Sequence, residues 1–307
     1  MRYKKWMSAV LSGALFISSV GTSFAAAENT VQSKLETVEV ETYGAAQTGA
    51  FLNRINRIEK DYLGKHNAGS MLERVNLVYG DIYDNSMSPG LLTQLNAVEW
   101  GITHEVSSKP VDTRITDMEM QIAGTPSEGT YQKRISTLGE HAFGSYEVPL
   151  EEVTVPADTL IKIALAEEVN VKNVKVKDIV RYRVAEDVVL DGMLVFAKGQ
   201  PGTGTVMKVK QAQNFGRNAE LEVDFHTTKA MDGTDVTTHV GEKSKETMES
   251  YAMAAGASIA GMVILGPVGI IGGAFIKGKN IKYPEGTELY IQTKEDTVLY
   301  GVPTSAE

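Results

Sequence analysis

Apolar residues recur at intervals of 20 along the first half of the chain, between residues 49 and 145. Five positions carry Ile, Val or Leu at this interval: Ile55, Val75, Leu95, Ile115 and Ile135. A second apolar residue follows each of them three positions later, which places both on one face of a helix. The pattern therefore predicts a domain of five helical units with these residues facing inward.

Helix-breaking residues separate the units, for example Gly64, Pro89-Gly90 and Pro110. Ser70 and Glu73 have the spacing of a capping box at the start of one helix. Each unit is expected to be one helix of about 10–14 residues followed by a short loop. Since a single such helix cannot bury its apolar stripe alone, neighbouring units must pack together.

Charged residues recur beside this stripe. Arginine stands one position before the first apolar residue in most units, and glutamate stands five positions after the arginine: Arg54, Arg74, Arg114, Arg134, Glu59, Glu99 and Glu119. Such charges usually keep one helix face in water. The alternative is an outward face that binds a partner. Both interpretations place the arginines at the surface. Replacing Arg54 or Arg114 would then lower the free energy of unfolding by less than about 1 kcal/mol.

The N-terminal segment, Met1 to Ala27, has the organisation of a secretory signal peptide. Arg2 and two nearby lysines precede an uncharged, mostly apolar run at residues 7–20, and Ala25-Ala26-Ala27 forms a small-residue cleavage site. The run is shorter than the ~20 residues of a membrane-spanning helix, which argues against the alternative of a retained signal anchor. Cleavage is expected after Ala27, with Ala25 as second choice. The polar residues 28–48 are then expected to form a linker.

The second half of the chain, residues 150–301, changes to short runs in which apolar and polar residues alternate. These runs predict strands at Leu160–Leu165, Ile179–Val184, Val188–Leu190, Leu194–Phe196, Thr205–Val209, Leu221–Phe225 and Leu289–Thr293. Asp191-Gly192 and Asp232-Gly233 are typical hairpin turns. The prediction is an all-β barrel or sandwich, so the whole chain belongs to the α+β multidomain class.

An apolar insertion interrupts this β domain at about residues 245–277. Its central part, from Tyr251 to Ile276, carries no charged side chain, and Gly266-Pro267 should break it into a helical hairpin. Small residues recur at helical spacing and are predicted to contact a membrane or another copy of the chain: Ala252, Gly256, Ala260, Gly261, Gly269 and Gly273. The alternative is a plug that folds back over the β domain.

Two stretches resemble known bacterial families. The signature Arg-apolar-x-x-apolar-Glu, followed by apolar-Gly, resembles a short tandem repeat of bacterial envelope proteins. The β domain opens with Pro156-Ala157-Asp158-Thr159, and after the insertion its last strand opens with Pro284-Glu285-Gly286-Thr287. This order resembles the C-terminal β-barrel domain of TrbI-type conjugation proteins, which are scaffold subunits of type IV secretion systems. That resemblance implies a barrel whose helical hairpin assembles in the outer membrane.

The composition of the chain excludes several classes of ligand binding and catalysis. With 30 basic and 39 acidic residues the formal net charge is −9, which disfavours binding to nucleic acid. The chain has no cysteine, which excludes thiol catalysis and cysteine zinc sites. It also lacks the His-Glu-x-x-His, Gly-x-Ser-x-Gly and P-loop motifs. We therefore expect no catalytic residue, no metal and no cofactor, and the sequence identifies no small-molecule substrate.

The sequence thus favours a non-enzymatic structural or assembly protein of the bacterial envelope. It would lie in the periplasm or at the outer membrane and bind protein partners or further copies of itself as a homo-oligomer. The alternative is a soluble periplasmic binding module for cell-wall glycan or peptide. Aromatic residues make up only 7% of the chain, and Trp100 is the sole tryptophan after the signal segment, which disfavours a glycan site.

The exported chain is predicted to begin at Glu28, because the signal segment should be removed after Ala27. Intact-mass measurement on protein purified from its native host tests this. A mass that still includes the segment from Met1 to Ala27 would contradict cleavage.

Overall fold

The computed structural model describes residues 30–211, 219–254, 274–278 and 281–304. The predicted signal peptide lies outside these ranges. Within them the chain forms a helical part, which we call the repeat domain, and a β part, which we call the barrel domain.

The repeat domain contains six helices of equal length that begin at one constant interval along the chain, the interval of the apolar repeat. They are α1 (Val31–Tyr43), α2 (Phe51–Leu63), α3 (Met71–Tyr83), α4 (Leu91–Thr103), α5 (Val111–Ala123) and α6 (Tyr131–Phe143). The prediction of a linker at residues 28–48 is wrong, because α1 lies there and buries Leu35 and Val38 completely. The domain therefore has six units. Leu35, Val38 and Glu39 stand 20 residues before Ile55, Ile58 and Glu59, so α1 carries the same repeat, although the exposed Val40 weakens its amphipathic pattern.

One apolar core joins the six helices. Ile55, Val75, Leu95, Ile115 and Ile135 all lie in it, with exposed fractions of 0–1%. Five helices are followed by a residue with positive φ, and in four of them that residue is glycine, as at Gly64 with a φ of 71°. Glycine adopts this conformation at little cost, so it ends the helix and turns the chain towards the next unit.

The barrel domain consists of short strands and one helix. The strands are β1 (Glu151–Val155), β2 (Leu160–Leu165), β3 (Val169–Asn170), β4 (Ile179–Val184), β5 (Val188–Leu190), β6 (Met193–Phe196), β7 (Pro201–Lys210), β8 (Ala219–Lys229), β9 (Asp235–His239), β10 (Ala274–Gly278), β11 (Lys282–Tyr283), β12 (Glu288–Thr293) and β13 (Thr297–Pro303). The helix is α7 (Glu242–Ala254), between β9 and β10.

Six strands close into a barrel. Their order is β8-β7-β4-β2-β12-β9, and β9 pairs back onto β8 through Thr227↔Thr237 and its neighbours. Strands β1, β13, β6 and β5 form a separate four-stranded sheet, in which the predicted Asp191-Gly192 turn links β5 to β6 with positive φ at both residues. The fold class predicted from the sequence is confirmed, and the β domain is a barrel. Its core includes Ile161, Tyr182 and Ile291.

The predicted helical hairpin is only partly within the described residues. Its N-terminal side belongs to α7, which contains Ala252. Its last residues are not helical, because Ala274–Gly278 forms β10 and pairs with β8. This corrects the second arm of the predicted hairpin, which was expected to be helical as far as Ile276. Residues 255–273 lie outside the described ranges, and with them Gly256, Ala260, Gly261, Gly269 and Gly273. Across the part of the chain that is described, no helix combines the length and apolar character needed to cross a membrane.

Replacing Ile115 by Ala should lower the free energy of unfolding by about 2–5 kcal/mol, because the side chain is fully buried in the repeat core. Ile122→Ala is the matched control in the same helix, since Ile122 is 37% exposed. Chemical denaturation measures both. Equal losses in the two variants would contradict the position of the core.

Candidate functional site at the junction of the two domains

Buried ion pairs connect successive helices of the repeat domain. Each arginine of the repeat reaches back to the glutamate of the preceding helix: Arg54–Glu39, Arg74–Glu59, Arg114–Glu99 and Arg134–Glu119. The N–O distances are 2.5–2.7 Å, and the arginine side chains are only 2–12% exposed. We call these four pairs the Arg–Glu ladder. Both interpretations that placed the arginines at the surface are therefore wrong.

The glutamates of the ladder also hold the loops between helices. Glu99 accepts hydrogen bonds from the Ser107 backbone N–H and hydroxyl at 3.1 and 2.7 Å, and Glu119 accepts one from the Ser127 N–H at 2.9 Å. Burial alone would raise the pKa of Glu119, but its hydrogen bonds, led by that from Arg134, outweigh burial and lower it. Its contribution to stability is therefore complete above the ordinary value of 4.5 and is lost as the pH falls through the lowered pKa.

The ladder is interrupted at one step, between α3 and α4. Tyr79 occupies the glutamate position and Gln94 the arginine position, so both members of the pair are replaced together. Tyr79 packs against Tyr83 with 4.6 Å between ring centroids, and Gln94 donates to the Pro89 carbonyl at 2.9 Å. Helix α3 also ends differently, because Asp84 follows it with a φ of −82°.

The barrel domain contacts the repeat domain at this interruption. The turn between β8 and β9 presents two backbone carbonyls, and three side chains from α4 and the loop before it donate to them. Asn85 Nδ2 and Thr93 Oγ1 donate to the Asp232 carbonyl at 3.0 and 2.8 Å, and Asn96 Nδ2 donates to the Met231 carbonyl at 3.0 Å. The Asn96 Oδ1 atom accepts from Arg114 at 2.7 Å, which connects the ladder directly to the barrel.

A small apolar core and further polar contacts complete the junction. The core contains Ala97, Val106, Leu194, Ala197, Met231 and Val302, with exposed fractions of 0–3%. Trp100 Nε1 donates to the Asp187 carboxylate at 2.8 Å, and the Val106 N–H donates to the Lys198 carbonyl at 2.8 Å. Because backbone, side-chain and apolar contacts all cross the junction, the two domains form one packed unit.

A cleft of about 470 Å³ opens beside the junction, between α1, α3 and the β8–β9 turn. Its lining includes Glu41, Tyr79, Tyr83, Lys229 and Asp235. Among the described residues, none forms a hydrogen bond or ion pair with the Glu41 carboxylate, and the buried Tyr83 hydroxyl likewise has no partner. Burial raises the pKa of Glu41, although the positive charges of Arg114 and Lys229 oppose the increase.

Sequence reasoning missed the junction, although a signal was present. The simultaneous loss of glutamate at Tyr79 and of arginine at Gln94 marks the step where the barrel binds. The predicted contact residues of the insertion lie outside the described ranges, apart from Ala252 in α7. Within the described residues, no group of three or more His, Asp or Glu side chains could hold a metal ion.

Comparison with known proteins gives little beyond the geometry. The sequence matches no family model and no curated protein. One similar solved structure is ComB10 of the Com type IV secretion system of Helicobacter pylori, with 14% sequence identity and a TM-score of 0.25. The match covers 47% of this chain and 88% of that chain. A TM-score this low establishes neither the fold nor the function of this chain.

Replacing Arg114 by Met should lower the free energy of unfolding by about 3–5 kcal/mol, because it leaves the Glu99 carboxylate buried without its cation. Arg181→Met is the matched control. Arg181 also pairs with a glutamate, but its side chain is 66% exposed, so the loss should stay under about 1 kcal/mol. Urea denaturation of both variants decides between a buried ladder and a solvated face, since a solvated face predicts two equally mild effects.

Proposed function

We propose that this chain is a non-enzymatic assembly protein of the bacterial envelope, in which the packed repeat and barrel domains present the uncharged insertion to a membrane or to further copies. One observation carries the proposal. The chain leaves the barrel through α7 and returns through β10, and both elements are attached to barrel strands.

The outgoing end is held by side chains of α7. Ser244 donates from its N–H and its hydroxyl to Gln292 Oε1 on β12, at 3.0 and 2.9 Å. Met248, one turn later, is buried in the barrel core with an exposed fraction of 4%. The start of the helix is therefore fixed on the barrel wall.

The returning end is held by backbone pairing. Strand β10 runs antiparallel to β8, from Ala274↔Val223 to Gly278↔Ala219. Between the two attachments, residues 255–273 contain no charged side chain. A soluble chain rarely leaves a large continuous apolar surface in water, so such a segment is expected to contact lipid or protein.

The repeat domain supplies the second half of the proposed role. Its helices are joined to the barrel by hydrogen bonds from Asn85, Thr93 and Asn96, so a partner bound to the helices would be held at a fixed place relative to the insertion. The predicted signal peptide supports export to the envelope. The absence of catalytic motifs from the sequence supports a role without enzymatic activity.

Replacing residues 255–273 by a short Gly-Ser linker should abolish self-association and binding to lipid vesicles while the rest of the chain stays folded. The point variant Gly256→Asp should weaken both, because it places a charge on the predicted contact line. Met87→Asp is the control, since Met87 is 93% exposed in a loop far from the insertion in sequence. Sedimentation velocity and vesicle flotation measure the two kinds of binding.

The outcomes separate the proposal from its alternatives. Unfolding of the linker variant would mean that the insertion is a plug covering the barrel. An intact chain that is monomeric and does not float with vesicles would instead favour a soluble periplasmic binding module.

A further inference from the structure

The cleft at the junction contains two oxygen groups that the described residues leave without partners. One is the Glu41 carboxylate on α1, which is half-buried. The other is the hydroxyl of Tyr83 on α3, which is buried and has no hydrogen-bond partner in the described part of the chain. A buried polar group without a partner is costly in a folded protein and calls for an explanation.

The other charged groups at the cleft are already paired. Arg114 binds Glu99 at 2.7 Å, and Lys229 binds Asp235 at 2.9 Å. The Asp232 carboxylate accepts from the backbone N–H groups of Thr234 and Tyr300 at 2.9 and 3.1 Å. Glu41 therefore has no ion-pair partner of its own within the described lining, where three acidic side chains face two basic ones.

The Glu41 carboxylate and the Tyr83 hydroxyl indicate what kind of ligand the cleft could bind. A carboxylate only accepts hydrogen bonds, and a phenol oxygen can accept them, so both suit a group that donates. The neighbouring rings of Tyr79 and Tyr83, tilted by 44° to each other, add aromatic surface, and the ammonium of Lys34 lies 5.2 Å from the centroid of the Tyr79 ring. A guanidinium combines positive charge, donors without acceptors and a flat face that packs on aromatic rings.

We propose that the cleft binds the guanidinium of an arginine side chain presented by a partner protein, with Glu41 as its counter-ion and Tyr83 as a second acceptor. The volume of about 470 Å³ lies within the usual range of ligand pockets, roughly 300–1,000 Å³. The inference deepens the proposed assembly role by giving the chemistry of one partner contact, and it rests on that role only for the source of the arginine.

Binding should depend on pH. Burial raises the pKa of Glu41 above its ordinary value of 4.5. The charged form therefore costs stability above that pH, and arginine binding should strengthen as the pH rises through the raised pKa. The charged and titratable groups around Glu41, taken from every element that lines the cleft, are Tyr79, Tyr83, Arg114, Lys229, Asp232 and Asp235.

The test uses N-acetyl-arginine amide as the probe and N-acetyl-citrulline amide as its neutral counterpart, titrated into the intact chain and followed by NMR. The arginine probe should bind at least about tenfold more tightly than the citrulline probe, which is the size of effect expected from one charge-assisted hydrogen bond. Equal affinities, or no shift with the arginine probe up to its solubility limit, would overturn the proposal.

Variants locate the binding within the cleft. Glu41→Gln should remove about tenfold of the arginine affinity and its pH dependence, while Tyr83→Phe should remove less. Glu128→Gln, at an exposed loop position, is the charge-matched control and should change nothing. Melting temperatures show that each variant is folded. Unchanged affinity in Glu41→Gln would refute the arginine site. It would not refute the proposed function, which is tested separately by self-association and vesicle binding in the variants of residues 255–273.

Discussion

The buried ion pair between successive helices is the interaction on which the repeat domain depends. Each pair joins an arginine to the glutamate of the helix before it, and the glutamate also holds the loop between them. Taking both charges out of water is expensive, so the pairs are not an efficient source of stability. They instead make the relative position of neighbouring helices specific, because any other register would leave a charge buried alone.

The same constraint explains where the barrel binds. At Tyr79 and Gln94 the pair is absent, the loop before α4 follows a different path, and Asn85 and Thr93 face the β8–β9 turn. The repeat therefore changes its sequence at the step where it must meet a different surface.

The sequence reveals the parts of this structure that depend on short-range periodicity. The spacing of Ile55 and its equivalents predicts the helices, and Asp191-Gly192 predicts a hairpin, because local chemistry decides both. The first helix was missed although Leu35 and Val38 continue the period, because the exposed Val40 places an apolar residue on the opposite side of the helix and blurs the pattern. The burial of the arginines could not be predicted from one helix, because the glutamate that pairs with each arginine lies on a different helix. Barrel closure also needs the long-range pairing of β9 with β12, as in Gln292↔His239, which alternation along single strands does not specify.

Asn96 shows how a second domain can be joined to a repeat without weakening it. In the equivalent Asn56, the amide oxygen accepts from Arg74 at 2.6 Å, and the oxygen of Asn96 accepts from Arg114 in the same way. The ladder thus uses only one end of this amide. The amide nitrogen at the other end donates to the Met231 carbonyl of the barrel. The interface between the domains therefore uses a hydrogen-bond donor that the helices do not need.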